Sequence, residues 1–133
     1  YEVDNKILGY LIANSPANRE YVDDDYQIWF KPELKDVYYN SPKSMTLEVI
    51  ATDPSASQKG IGSELYNFLE SKLKSELIEQ VFSVVVIAPI TNCPSIVWHS
   101  KNGFVRLAGS RPKETMVGLS WYSSILFYKK LNW

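Results

Sequence analysis

The sequence predicts an α/β fold with a mixed sheet, and three consecutive segments carry this prediction. Residues 46–52 and 81–88 are two apolar, β-branched runs of the kind that forms strands. Residues 59–80 lie between them and repeat apolar side chains at steps of three and four, as an amphipathic helix does: Ile61, Leu65, Phe68, Leu69, Leu73 and Leu77. Crossovers between strands in such a βαβ unit are nearly always right-handed, so we expect the two strands to be parallel.

The segments before this unit are less regular. Residues 6–13 form a short apolar run that ends at Asn14 and Pro16, which predicts a buried strand followed by a turn. Residues 17–43 combine three consecutive aspartates with aromatic side chains and prolines. We expect one strand and a loop or short helix in that stretch.

The segments after the unit predict a short helix and two more strands. Residues 94–102 suit a helix, because Pro94 fits its first turn and Gly103 fits the position just past its end. Residues 104–108 and 121–131 are rich in β-forming side chains, and we expect both to be strands.

The composition indicates one globular domain and argues against several kinds of partner. The 133 residues suffice for one core, so we assign a single domain to residues 1–133. A formal net charge of −1 gives no general attraction to nucleic acid or to an anionic membrane. No membrane span or signal peptide is recognisable, and the single cysteine, Cys93, permits neither an internal disulfide nor a cysteine-based zinc cluster. We therefore expect a cytoplasmic protein without a metal site.

The turn before the long helix is the first candidate ligand site. It reads Pro54-Ser-Ala-Ser-Gln-Lys-Gly-Ile-Gly-Ser63. Its glycines let the backbone approach a ligand closely, and the N–H groups of the first helical turn attract an anion such as a pyrophosphate. Lys59 adds a positive charge, although an exposed lysine is equally explained by solvation. The turn lacks the Gly-Lys-Ser/Thr sequence that ends a P-loop and the third glycine of a dinucleotide-binding fingerprint. The assignment therefore needs support from a second motif.

The second motif follows the strand at residues 81–88 and reads Asn92-Cys-Pro-Ser-Ile-Val-Trp-His-Ser-Lys-Asn-Gly-Phe104. It begins at the carboxyl end of a strand, where ligands collect in α/β sheets. Together with the glycine turn it resembles the GNAT superfamily of N-acetyltransferases. The resemblance covers most of residues 4–131, and the matched positions are Asn92, Ser95, Trp98, Lys101, Gly103 and Phe104.

This resemblance implies acetyl-CoA as co-substrate and assigns binding residues. In GNAT folds two parallel strands diverge at their carboxyl ends, and the pantetheine arm of CoA fills the gap like an added strand. The residues expected to contact the arm and the thioester are Ile50, Ala51 and Thr52. Those expected to wrap the pyrophosphate are Ser57, Gln58, Lys59, Gly60, Ile61, Gly62 and Ser63. Those expected to flank the arm on its other side are Asn92, Ser95, Trp98 and Lys101.

Three features depart from the family pattern. Ser57 stands where the family usually has arginine or glutamine, so either the affinity for CoA is lower or Gln58 takes over that task. The chain starts at what resembles the family's second strand, so we expect this sequence to lack the usual first strand and two helices. Either the full protein is longer, or the acceptor site is open or completed by a partner. His99, the only histidine, replaces a tyrosine that in the family often protonates the departing thiolate of CoA.

Two side chains are candidates for proton transfer. An imidazolium at His99 is able to protonate the thiolate, because histidine titrates near neutral pH; the alternative is a surface or capping histidine on a short helix. Glu48 lies on the predicted strand 46–52 and is the candidate base for the amine. Its alternative is a satisfied or exposed strand carboxylate.

The sequence therefore predicts an N-acetyltransferase that moves an acetyl group from acetyl-CoA directly to a primary amine of a small molecule or peptide. Aromatic side chains between Trp121 and Trp133 are compatible with a homodimer. One alternative is a GNAT-like module that binds an acyl-CoA without chemistry, as a sensor or assembly partner. Another is an unrelated nucleotide-binding regulator, against which the second motif argues.

Overall fold

The computed structural model describes residues 1–16, 32–56, 59–109 and 123–133. The strands in these segments are β1 (Glu2–Val3), β2 (Lys6–Ile7), β3 (Gly9–Asn14), β4 (Ser44–Thr52), β5 (Gln80–Ala88), β6 (Val105–Gly109) and β7 (Ser123–Lys130). The helices are α1 (Pro32–Asn40), α2 (Ile61–Ser75) and α3 (Cys93–Lys101), with a 3-10 turn at Pro54–Ala56. No helix in the described segments is long and apolar enough to cross a membrane.

Five of the strands form one sheet in the order β3-β4-β5-β7-β6, and β1 and β2 form a separate hairpin. Strands β4 and β5 are parallel, whereas the other neighbours in the sheet are antiparallel. The predicted βαβ unit and the mixed sheet are therefore confirmed. The hairpin of β1 and β2 closes through Asp4 and Asn5. These two residues adopt positive φ angles of 50° and 61°, as a tight two-residue turn requires.

Apolar side chains pack into two clusters of the fold. One includes Tyr66 and Leu73 of α2 together with Val81 and Val85 of β5. The other joins Tyr38 of α1 to side chains from β5, β6 and β7. Burying one large apolar side chain contributes about 1.5–3 kcal/mol, so these clusters are the main source of stability for the sheet.

The long helix is shorter than the predicted range 59–80, because its C-terminus is closed by local hydrogen bonds. The N–H of Leu77 donates to the carbonyl of Lys74 at 3.2 Å, and the N–H of Ile78 donates to that of Leu73 at 2.9 Å. Leu77 carries the positive φ of 55° that such a Schellman ending needs. As a result Leu77 is 69% exposed, so placing it on the buried face of the helix was wrong.

Phe68 was also placed wrongly on the buried face, since its side chain is 64% exposed. The buried stripe of α2 is narrow and runs through Ile61, Tyr66 and Leu73. Tyr66 therefore occupies the core position on this turn of the helix, and Phe68 lies against solvent, with the ammonium of Lys72 at 5.5 Å from its ring.

The remaining predicted elements agree with the structure to within one or two residues where they are described. The first predicted strand, 6–13, is divided between β2 and β3. The prediction that this strand is buried was wrong, since Ile7, Tyr10 and Ile12 are 67%, 52% and 43% exposed. The helix predicted at 94–102 is α3, with proline in its first turn and Gly103 past its end at a φ of 81°. Helix α1 lies in the stretch for which a loop or short helix was predicted; residues 17–31 and 121–122 lie outside the described residues.

Candidate functional site

The parallel strands β4 and β5 separate halfway along their length. Their residues are in register from Ser44 opposite Gln80 to Leu47 opposite Ser83, and no further pair follows. A β-bulge occurs at the same point, because Ala13 pairs with Leu47 and Ile12 pairs with Val49, which leaves Glu48 as the extra residue of β4. A bulge bends a strand and increases its twist, so the bulge accounts for the divergence of β4 from β5.

A cleft of about 920 Å³ lies at this divergence. Its walls are the separated halves of β4 and β5, the first turn of α2, and α3. Backbone groups on the edge of β4 that faces the cleft have no strand partner beyond Leu47. On the β5 side, the turn that follows the strand covers part of the edge, since the N–H of Asn92 donates to the carbonyl of Val86 at 3.1 Å. The edge of β4 is therefore the one that offers hydrogen bonds to a ligand.

The N-terminus of α2 opens into the same cleft without a side-chain cap. Gly60 is the N-cap residue at a φ of 82° and makes no side-chain hydrogen bond to the first-turn N–H groups. A Cβ at Gly60 would meet no atom of the described residues within 4 Å, whereas one at Gly62 would lie 3.4 Å from Ile50 and 3.5 Å from the indole nitrogen of Trp98. Glycine at 62 lets the helix start close to β4 and α3, and the uncapped N–H groups form a site for an anion.

Helix α3 is fixed to α2 by the side chain of Trp98. Its indole N–H donates to the hydroxyl of Ser63 at 3.3 Å, and its ring meets that of Tyr66 edge-on at 5.4 Å. At the start of α3, the side chain of Asn92 accepts a hydrogen bond from the N–H of Ser95 at 3.1 Å, which caps the helix. Trp98 and Asn92 thus hold the two motifs in place as well as lining the cleft.

His99 forms part of the cleft wall but is only 4% exposed. Its Nδ1 lies 2.7 Å from the carbonyl oxygen of Ser95, and its Nε2 lies 2.8 Å from the hydroxyl of Ser83. Burial lowers the pKa of the imidazole below its usual value, and the hydrogen bond to Ser95 only partly offsets this. The surface-histidine alternative is therefore wrong, and the neutral imidazole is the favoured form in the free protein.

The cleft brings together most of the residues that the sequence singled out. Those that line it are Glu48, Ile50, Thr52, Gly60, Ile61, Gly62, Ser63, Asn92, Ser95, Trp98, His99 and Lys101. Ala51 and Lys59 are not part of its lining: Ala51 is paired with Tyr10 of β3, and Lys59 is exposed beside the turn. Ser57 and Gln58 lie outside the described residues.

Sequence reasoning missed Ser83 and the bulge at Glu48. Ser83 is the one hydroxyl residue within the run of apolar side chains from Val81 to Ala88, and this interruption was the available signal. The bulge had no local signal, because it is a relation between β4 and β3 rather than a property of either segment.

Comparison with known proteins identifies the class. A family model described as the acetyltransferase (GNAT) family matches residues 1–104, so the chain belongs to this family. Among curated proteins, none matches the sequence significantly.

Solved structures agree with this fold. A ribosomal-protein-alanine N-acetyltransferase from Brucella melitensis superposes with a TM-score of 0.68 at 16% identity, over 98% of this chain and 66% of that protein. An N-acetyltransferase from Staphylococcus aureus Mu50 gives 0.67 at 18% identity, over 98% and 65%. A GNAT family acetyltransferase from Elizabethkingia anophelis with acetyl-CoA bound gives 0.62 at 14% identity, over 98% and 72%. The chain thus spans slightly less than two thirds of the first two relatives, and at these identities the similarity establishes the fold.

Proposed function

We propose that this chain transfers an acetyl group from acetyl-CoA to a primary amine. The observation that carries the proposal is the divergence of β4 and β5, which leaves the edge of β4 facing a large cleft. A backbone edge of this kind pairs with an extended, amide-bearing ligand as it would with another strand. The pantetheine arm of CoA is such a ligand.

The uncapped N-terminus of α2 supports the same ligand. Backbone N–H groups around Gly60 to Ser63 and the positive end of the helix dipole suit a pyrophosphate, and the described part of the chain leaves the space beside Gly60 open. Asn92, Ser95 and the rest of α3 would border the arm on the opposite side of the cleft. The described residues therefore fit both the charged and the amide portions of CoA.

Acetyl-CoA, when bound, supplies an acetyl group activated as a thioester. In the proposed direct transfer, backbone N–H groups of β4 beyond the bulge donate to the carbonyl oxygen of that group, in the manner of an oxyanion hole. Glu48 is exposed and lines the cleft at the bulge, so its carboxylate is available to accept a proton from an approaching ammonium. Positioning of the two substrates would supply much of the remaining acceleration.

The test of the binding site compares two variants of equal size at Gly60. In Gly60→Asp a negative charge stands at the proposed pyrophosphate site, whereas Gly60→Asn has the same shape without the charge. Both residues tolerate positive φ better than other side chains do, which keeps the backbone of the turn comparable. Calorimetric titration with acetyl-CoA should show a loss of affinity of at least about tenfold for Asp relative to Asn, because one adverse charge contact at this site costs on the order of 1.4 kcal/mol or more.

The test of transfer is an assay of CoA release with a panel of primary amines. The panel contains polyamines, an aminoglycoside, a lysine peptide and a peptide with N-terminal alanine, the last because the Brucella relative is named for that residue.

In the binding test, equal affinities of Gly60→Asp and Gly60→Asn for acetyl-CoA would contradict the proposed pyrophosphate site.

Binding of acetyl-CoA without turnover of any amine would favour the second candidate, a module that binds acyl-CoA without chemistry. The observation in favour of this candidate is His99, whose two ring nitrogens are both hydrogen-bonded within the protein.

A further inference from the structure

The imidazole of His99 is held in one orientation by its surroundings. Its ring stacks on Phe127 at 4.9 Å with an interplanar angle of 26°, and it meets Trp98 and Phe104 edge-on at 4.9 Å and 5.1 Å. Because three aromatic rings surround the imidazole, the ring cannot flip about its Cβ–Cγ bond without rearrangement of the core. The hydrogen bonds of each nitrogen can therefore be assigned separately.

The partner of Nδ1 determines which nitrogen carries the proton. Nδ1 has two neighbours in Ser95, the carbonyl oxygen at 2.7 Å and the hydroxyl at 3.3 Å. The carbonyl is the nearer and can only accept a hydrogen bond, so Nδ1 is the donor. In the neutral imidazole, Nε2 then carries a lone pair, and the hydroxyl of Ser83 at 2.8 Å donates to it. The arrangement is a serine hydroxyl that is hydrogen-bonded to an accepting imidazole whose other nitrogen is anchored to a carbonyl.

Ser83 occupies the point at which the cleft begins. It is the last residue of β5 in register with β4, opposite Leu47, and it is one of the residues that line the cleft. Ser83 is only 3% exposed and His99 only 4%, so both meet the cleft over a small area. The hydrogen bond between them lies in the wall of the cleft, at the point where β4 and β5 diverge.

We propose that Ser83 is a catalytic residue for acetyl transfer and that Ser83 and His99 together relay the proton from the amine to the departing sulfur. The inference rests on the proposed function. As the bond from the amine nitrogen to the acetyl carbon forms, the amine proton moves to Oγ of Ser83, and the proton of that hydroxyl moves to Nε2 of His99. As the bond between carbon and sulfur breaks, the thiolate takes the proton that Oγ received from the amine, and Nε2 returns its proton to Oγ. Ser83 and His99 return to their starting state, so no further reactant is needed.

In this relay His99 is a positioning residue and the temporary holder of the proton. The carbonyl of Ser95 stabilises the imidazolium while it exists, because it accepts a hydrogen bond from Nδ1 throughout. A neutral resting imidazole is what the relay needs, since an imidazolium could not accept the proton. The histidine found at the family's tyrosine position therefore acts from within the wall of the cleft instead of from its surface.

Three variants test the relay. Ser83→Ala removes the hydroxyl, His99→Gln keeps a side chain able to hydrogen-bond to Ser83 but unable to take up a proton, and the double variant removes both. We expect each to lower kcat by about 100-fold, the low end of the range for general acid–base catalysis. The double variant should be no slower than the singles, because residues that act as a unit are not additive. The Kd for acetyl-CoA, measured by calorimetry, should change less than about twofold in all three.

The matched control is Ser44→Ala. Ser44 is another buried strand serine, whose single hydroxyl proton is shared between the carbonyl oxygens of Val37 and Ser41, each 3.0 Å from Oγ. It lies at the far end of β4 from the cleft. This variant should lose stability and keep its kcat. A loss of kcat as large as that of Ser83→Ala would mean that the rate reports packing, which would overturn the relay.

A spectroscopic readout is independent of the acceptor. Because His99 is the only histidine, its ring nitrogen resonances are assigned without ambiguity. We expect the Nδ1–H form in the wild type and a shift of the Nε2 resonance in Ser83→Ala; an Nε2–H form would overturn the relay.

The kinetic arms separate this inference from the proposed function. If Ser83→Ala keeps the kcat of the wild type, the relay is overturned and acetyl transfer stands. The same conclusion follows if mass spectrometry detects a stable acetyl group on Ser83 when the protein is incubated with acetyl-CoA in the absence of an amine. A wild type that binds acetyl-CoA but acetylates no amine in the panel would remove the transferase function and the relay with it.

Discussion

At the scale of the residue, His99 makes folding stability depend on pH. Burial lowers the pKa of its imidazole in the folded chain, whereas the unfolded chain takes up the proton near pH 6.5. The folded state therefore binds fewer protons between the folded pKa and about pH 6.5, so stability is fully present above that value and is lost as the pH falls through the folded pKa.

This linkage gives a prediction for denaturant unfolding at about pH 7.5 and 5.5. The free energy of unfolding of the wild type should fall between these values by more than that of His99→Gln, because glutamine does not titrate. Among the described residues, Glu48, Cys93 and Lys101 are the titratable side chains that share the cleft with His99. They are present in both proteins, so the difference isolates the histidine. Equal losses in the two proteins would contradict a neutral buried imidazole.

The position of His99 beside the cleft was predictable from the sequence, but its burial was not. The motif from Asn92 to Phe104 placed the residue after the second parallel strand. Its burial depends on Phe127 of β7 and on Ser83 of β5, which lie far away along the chain. A local pattern contains no information on such contacts, so it left a surface histidine and a catalytic histidine equally open.

At the scale of the element, β3 and α2 approach each other at Gly9. A Cβ at this position would lie 2.8 Å from Cγ2 of Ile61 and 3.0 Å from the carbonyl oxygen of Ala51. The second of these atoms is backbone in the neighbouring strand and cannot move aside alone. Gly9→Ala should therefore destabilise the protein by about 1–3 kcal/mol, the usual cost of overpacking, in denaturant unfolding.

The comparison for this prediction is Gly62→Ala in the first turn of α2. A Cβ there makes contacts of 3.4 Å and 3.5 Å with side-chain atoms, and alanine favours a helix more than glycine does. Its stability should stay within about 1 kcal/mol of the wild type. If Gly9→Ala were as stable as Gly62→Ala, β3 and α2 would not be in the close contact described.

The elements themselves show what periodicity can and cannot predict. The central βαβ unit followed from the apolar pattern, because a sheet strand and a helix face differ in period. The end of α2 did not, since the Schellman ending uses Leu77 where glycine is usual, and leucine at that position continued the apolar pattern.

At the scale of the whole molecule, the cleft exists only in the folded chain. One wall comes from β4 and α2 and the other from β5 and α3, and Trp98 joins them through Ser63. The sequence predicted both walls, but the bulge at Glu48 that separates them depends on pairing with β3. A ligand that contacts both walls has no comparable site in the unfolded chain, so its binding must stabilise the fold.

This coupling predicts the effect of acetyl-CoA on thermal unfolding. At a concentration 100 times its Kd, the ligand should raise the free energy of unfolding by about 2.7 kcal/mol, which corresponds to a rise in Tm of roughly 10 °C for a domain of this size. Gly60→Asp should lose most of this rise at the same concentration, and Gly60→Asn should keep more of it, because only aspartate opposes the phosphate charge at the start of α2. Equal rises in Tm for both variants would place the bound acetyl-CoA away from the N-terminus of α2. The proposal that the edge of β4 and the start of α2 bind the same molecule would then be wrong.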